Sequence, residues 1–241
     1  MPNVAAINTA FRAAQLGDPG LLRTVAPQLT PADLASFDDN GQTMHLVALR
    51  EFLVRVLIES PAEMIAWASE CAIEMVKLGA PCKSRQEPGK VGQTAMYWFL
   101  NGTWDDSPHA PAVANLMASY LAYGFMRADE LVPASPSDDQ DGPGLRRALA
   151  VAVDSGNCEA VRLLMRAGAD PDQAALGTGY STLEDFARSR TQAYGLQERR
   201  PDLYEMVAAT VASERLLSVV RKCAASDQAA TPAAPRRGPA A

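Results

Sequence analysis

The hydrophobic positions of this chain fall into pairs of short helical stripes, separated by polar breaks. The clearest pair lies in residues 144–172, GLRRALAVAVDSGNCEAVRLLMRAGADPD. Leu149, Val151 and Ala152 form one apolar set, and Val161, Leu164 and Met165 form a second. The i, i+3, i+4 spacing of the second set puts it on one face of a helix. Between the sets, Ser155-Gly156-Asn157 breaks the pattern and supplies Asn157 as an N-cap. Glu159 suits the positive end of the following helix dipole, and Gly168 supplies a positive-φ stop. The stretch predicts two helices folded back on each other and closed by a turn.

Other segments repeat this plan. Residues 8–40 offer Thr9 as the cap of a helix through Leu16, a Gly17-Asp18-Pro19 turn, and a second apolar face of Leu21, Leu22 and Val25. Thr30-Pro31 reads as a cap followed by proline at the first helical position. The next unit opens with Gly41-Gln42-Thr43, where the threonine hydroxyl is expected to cap a helix. That helix is apolar on all sides, which predicts an element packed between neighbours. Pro61 starts its partner, with a buried face of Ile65, Ala68, Ala72, Met75 and Val76, closed by Gly79. A second Gly-Gln-Thr opening stands at 92–94, followed by the stripe Val113, Leu116, Met117, Tyr120 and Leu121 and a stop at Gly124. A last unit opens at Gly179, continues through Phe186 and Ala187, and resumes after an insertion with Met206, Val207 and Val211.

This layout resembles the ankyrin repeat. The turn Gly168-Ala169-Asp170-Pro171 matches the family's G-A-D-V-N-like turn, and residues 39–46 resemble its D-x-x-G-x-T-P-L-H opening. Met44 stands in place of the proline, and His45 falls one position early. The resemblance implies an all-α fold, an ankyrin-repeat solenoid of stacked helix-turn-helix units. About five units would fill residues 1–225, the first a degenerate cap, with 226–241 as a disordered Ala/Pro/Arg-rich tail. Opening glycines at 41, 92, 144 and 179 are 51, 52 and 35 residues apart. Since an ankyrin repeat has about 33 residues, the middle units must carry insertions. These fall at 101–111, 130–144 and 188–201.

Composition narrows the function. Aromatic residues make up only 6% of the chain, so alanine and aliphatic side chains must fill the core. The net charge of −6 and the absence of a basic half argue against nucleic acid as a partner. Cys71, Cys82, Cys158 and Cys223 form no C-x-x-C pair, which predicts free thiols in a reducing compartment. No basic stretch leads into an apolar one in MPNVAAINTAFRAA, and the apolar run 45–58 is interrupted by Arg50, Glu51 and Arg55. A soluble cytoplasmic protein is expected, with specialised export into a host cell left open. The abundance of Ala, Pro and Arg suggests a GC-rich bacterial source.

Chemistry is hard to place on this chain. His45 and His109, the two histidines, lie in different units, too far apart in sequence pattern to imply a triad or zinc site. His45 is expected to satisfy backbone or threonine groups at a helix start, and His109 to lie in a solvated loop. Asp105-Asp106 and Asp138, Asp139 and Asp141 lack the spacing of a calcium loop. No catalytic, cofactor or metal residues are therefore assigned. The resemblance implies a protein–protein interaction module, an adaptor, inhibitor or effector that binds another protein on its concave face as a monomer. Candidate contact residues are Tyr97, Trp98, Trp104, Tyr180, Arg188 and Arg190, because aromatic residues and arginine are enriched at interface anchors. The arginines with Tyr180 would suit an acidic partner. Packing of Trp98 inside the stack is the competing reading for that residue. The alternatives for the whole chain are an enzyme or small-ligand protein built on the insertion loops, and a structural subunit that oligomerises through the apolar second unit.

Overall fold

The computed structural model describes residues 3–85, 94–101, 107–133, 145–193 and 202–230. Its twelve α-helices and one two-stranded sheet among those residues make the fold mostly helical, in line with the all-α expectation. The helices are α1 (Val4–Leu16), α2 (Pro19–Val25), α3 (Pro31–Leu34), α4 (Met44–Leu57), α5 (Ala62–Lys77) and α6 (Ala95–Asn101). They continue with α7 (Ala110–Ala122), α8 (Ala148–Asp154), α9 (Cys158–Arg166), α10 (Pro171–Ala175), α11 (Leu183–Ala193) and α12 (Leu203–Ala230). Strands β1 (Leu131–Pro133) and β2 (Leu145–Arg147) pair antiparallel, with Val132 opposite Arg146.

The helices pack in a linear order. Among the first helices, α1 packs on α4, α4 on α6, α6 on α8, and α8 on α11. Among the second helices, α2 packs on α5, α5 on α7, α7 on α9, and α9 on α12. At one end of the helices, extended segments link successive units: Phe37 bridges Thr43, Gln42 bridges Ser84, and Lys83 bridges Thr94. The β1–β2 ladder occupies the same place before α8, tied to it by Ala148 N–H donating to Glu130 O at 2.8 Å.

Local chemistry explains where the helices begin and end. Asn157 Oδ1 accepts from the Ala160 N–H at 2.7 Å and starts α9 as expected. Thr30 and Asp33 form a reciprocal capping box on α3. Thr9 does not cap α1, because Asn3, six residues earlier, holds the N-cap and accepts from Ala6 N–H. The Thr9 hydroxyl instead donates to Ala5 O within the helix. Thr43 stands at the N-cap of α4 without a side-chain cap bond; its hydroxyl crosses to Pro81 O at 2.6 Å. Each of α5, α7 and α9 is followed closely by a left-handed glycine, and the next N–H reaches back to the last turn. Ala80 donates to Met75 O, Phe125 to Tyr120 O and Ala169 to Leu164 O.

The turns within the pairs use the same device. Gly17 and Gly156 take positive φ, but between α4 and α5 this place is held by Glu59 at φ 52°. Ser60 N–H still donates to Arg55 O at 2.9 Å, so the turn closes despite the steric cost of a Cβ in that region.

The core runs continuously through the stack and is rich in alanine, with Phe52, Phe99 and Tyr120 as its largest fully buried rings. Leu149, Val151, Ala152, Val161, Leu164 and Met165 are all buried, and so are Ile65, Ala68, Ala72 and Met75. Two apolar expectations need correction. Met206 is 49% exposed, because the buried stripe of α12 runs through Tyr204, Val207, Ala208 and Val211. Helix α4 is not covered on all sides: Val54, Leu57 and Ile58 face outward. Backbone helix extends to Ala230, five residues into the segment expected as tail; 231–241 lie outside the described residues.

Two outcomes follow. Leu164→Asp puts an unpaired carboxylate into a fully buried site of α9 and should cost roughly 4 kcal/mol or more, abolishing the parent's cooperative thermal transition. Glu59→Gly should relieve the left-handed turn and raise Tm by about 2–4 °C, for about 1 kcal/mol of net stabilisation.

Candidate functional site

The first-helix side of the stack carries the exposed stripe of α4. Val47, Arg50, Val54 and Leu57 follow one another at helical spacing, from half-buried to open. Arg50 reaches across to α6, where its guanidinium carbon lies 5.3 Å from the centre of the Trp98 ring. Its Nη1 donates to Gln42 Oε1 at 2.6 Å. Trp98 is half-buried and stands edge-on to Tyr97, with ring centres 6.0 Å apart. Among the described residues, neither Trp98 Nε1 nor Arg50 Nε has a hydrogen-bond acceptor, although both atoms are shut off from solvent.

The other expected contact residues divide. Tyr97 is buried at 7% exposure and belongs to the core side of α6, so it offers little surface. Trp104 lies outside the described residues, as do Asp105, Asp106, Asp138, Asp139 and Asp141. Tyr180 is exposed, with its ring 5.6 Å from that of Phe186, and the Arg190 guanidinium lies over the Phe186 ring at 5.3 Å. The two arginines are already engaged. Arg190 pairs with Asp154, and Arg188 sits 3.5 Å from Asp185 and 3.6 Å from Glu205. Tyr180 and Arg190 do meet around Phe186, but the cationic charge expected for an acidic partner is neutralised within the chain. Arg50, on α4, has no carboxylate partner among the described residues; its side-chain bond is to Gln42. Its only signal in sequence is that it interrupts an apolar run.

The histidine expected to satisfy groups at a helix start proves structural. His45 is fully buried; its Nδ1 lies 2.8 Å from Ala80 O and its Nε2 lies 2.6 Å from Tyr120 Oη. Burial pushes its pKa down to about 4, partly offset by the bond to Ala80, so the imidazole is neutral at pH 7. With Ala80 O requiring a donor, Nδ1 carries the proton and Nε2 accepts from the Tyr120 hydroxyl. His109 instead stands at the N-cap position of α7, half-buried, with its backbone N–H donating to Ser107 Oγ at 3.2 Å. Glu130, raised in pKa mainly by burial, accepts from Thr94 Oγ1 at 3.1 Å beside the third unit's opening.

Clefts of about 500 Å³ lie between units, one lined by Arg127, Asp129, Arg147 and Asp170, another by Pro111, Gly156, Cys158 and Met206. In the first, Arg127 and Asp129 form a two-pronged ion pair, which lowers the carboxyl's pKa through the side-chain hydrogen bonds. Among the described residues, no group of three or more His, Cys, Asp or Glu side chains could hold a metal ion. Nor is any helix among them long and apolar enough to cross a membrane. No protein-family model and no curated protein matches this chain.

The buried imidazole sets a pH dependence. His45 has a folded pKa of about 4 against an ordinary 6.5, so the unfolded chain binds the extra proton first. Its contribution to stability is complete above pH 6.5 and declines as pH falls towards 4, by about 3 kcal/mol in all. Urea titrations between pH 7 and 4 should show this loss in the parent, over and above the pH dependence of a folded His45→Gln variant. Parallel curves for the two proteins would contradict the assignment.

Proposed function

We propose that this chain is a divergent ankyrin-repeat array of about five units that binds another protein on the side formed by its first helices. The observation that carries the reading is the packing order. First helices contact first helices and second helices contact second helices through all five pairs, while extended segments bridge unit to unit at one end. Such an array has no single enclosed centre, and its largest continuous surfaces are the sides of the stack. The positions of the opening motifs support the reading. Thr43, Thr94 and Thr182 each precede a first helix, and Thr94 and Thr182 both accept from a backbone N–H of that helix.

On the first-helix side, Trp98 and Arg50 combine with Val54 and Leu57 into a patch of the composition that dominates protein interfaces. The role is binding without chemistry, as an adaptor, inhibitor or effector whose partner protein is held across several units. No cofactor is invoked.

The test is an affinity capture with the intact chain, beside Trp98→Ala and Trp67→Ala variants that retain the parent's helical circular dichroism. Trp67 is 57% exposed on α5, a second helix, and serves as the control. A partner held by the parent and by Trp67→Ala, but reduced at least tenfold with Trp98→Ala, is the expected outcome. Equal loss with Trp67→Ala alone would move the binding surface to the second helices and overturn the assignment.

A further inference from the structure

Arginines on this chain are paired almost wherever they are half-buried. Arg146 meets Asp154, Arg162 meets Glu159, Arg190 meets Asp154, and Arg215 meets Asp172 and Glu184. Two half-buried arginines depart from this among the described residues. Arg147 donates to the Asp129 carbonyl, whereas Arg50 has neither a carboxylate nor a backbone carbonyl among them and bonds only the Gln42 side chain, on a chain whose net charge is −6. Its position is not a consequence of free solvation, because Nε is buried and without an acceptor. The indole N–H of Trp98, under the same guanidinium, is in the same condition. Buried donors are nearly always satisfied in native proteins, so two adjacent exceptions on an exposed side of the fold call for an acceptor from outside.

Resting on the interaction-module reading above, we propose that the Arg50–Trp98 pair is the anchor for an acidic segment of the partner protein, one carboxylate of which accepts from both donors. The chemistry selects this occupant. A backbone carbonyl brings one oxygen and no charge, whereas a carboxylate brings two oxygens and the negative charge that the guanidinium lacks. Lysine-rich segments are repelled by Arg50. The flanking Val54 and Leu57, 44% and 50% exposed, offer apolar contact to residues beside the acidic one. Access requires one movement, a swing of Arg50 off the indole, against a single side-chain tie to Gln42. Arginine and tryptophan in a sheltered, water-poor setting have the properties of residues on which binding energy concentrates.

Nuclear magnetic resonance of the uniformly ¹⁵N-labelled full chain tests this directly. The three tryptophans give three indole N–H signals, and Trp98→Phe identifies the one that matters. The probe is the capped peptide Glu-Glu-Leu-Glu-Glu-Leu, with Gln-Gln-Leu-Gln-Gln-Leu as its uncharged counterpart. The Trp98 indole proton should move downfield and saturate with the acidic peptide, with the Arg50 Nε–H signal moving in step. The glutamine peptide should leave both in place. Arg50→Gln, at unchanged circular dichroism, should weaken the response at least tenfold. The proposal is overturned if the Trp98 signal stays still at millimolar acidic peptide, if the glutamine peptide shifts it equally, or if Arg50→Gln responds like the parent. The Arg50 Nε–H readout needs no substitution at that position, so a poorly folded variant does not decide the matter. A captured partner that depends on Trp98 but is not displaced by the acidic peptide would leave the interaction module standing and remove the carboxylate assignment.

Discussion

A buried imidazole ties three consecutive parts of this chain together. His45 belongs to α4, donates from Nδ1 to the carbonyl of Ala80 at the turn after α5, and accepts at Nε2 from the Tyr120 hydroxyl on α7 of the following unit. Around it, Phe99 and Phe125 close the site with ring contacts to Tyr120 at 5.4 Å. Where successive helix pairs pack in sequence order, stability depends on the interfaces between them. Apolar side chains supply most of the attraction there, but alanine-rich surfaces can slide with little loss. Directional bonds from His45, and from Thr43 to Pro81, set the register that burial alone leaves open.

The interfaces are not built alike along the stack. In the middle, His45, Tyr120 and the aromatic cluster join units with little charge. Towards the end, ionic and polar ties take over: Arg190 to Asp154, Arg166 to Glu214 at 2.7 Å, and Tyr204 Oη donating to Asp154 O at 3.0 Å. Glu214 is 3% exposed yet its pKa is held below the usual carboxylate value, chiefly by the hydrogen bond from Arg166. A buried carboxylate needs its arginine more than an exposed one does, because loss of one partner strands the other. The last interface is therefore more sensitive to the deletion of a single charge, and the central ones to changes of volume.

Helix pairs and their stops were legible in the sequence wherever a cap or glycine stood at the end of a clear stripe. Asn157, Thr30, Gly79, Gly124 and Gly168 all behave as their residue types require. The failures share one cause. Thr9, Thr43 and Met206 were placed from local pattern, and each position was settled by competition with residues distant in sequence or by an earlier cap. Thr43 had the right type for a cap but found carbonyls some 40 residues away. Glu59 was invisible as a left-handed residue, since nothing but the tightness of the turn forces it there.

The same limit governs the interaction face. Sequence composition could nominate Arg188 and Arg190, because arginine beside tyrosine is typical of interfaces, but it could not show that Asp154, Asp185 and Glu205 neutralise them. An ion pair between elements lowers the capacity of an arginine to recruit a second carboxylate, since the desolvation and geometry are already committed to the first. What distinguishes a recognition arginine from a structural one is thus the partner it lacks, a property of the folded stack. Arg50 meets that condition through position alone: α4 sets it at the outward edge of the helix, and α6 brings an indole beneath it before any acidic side chain comes within reach.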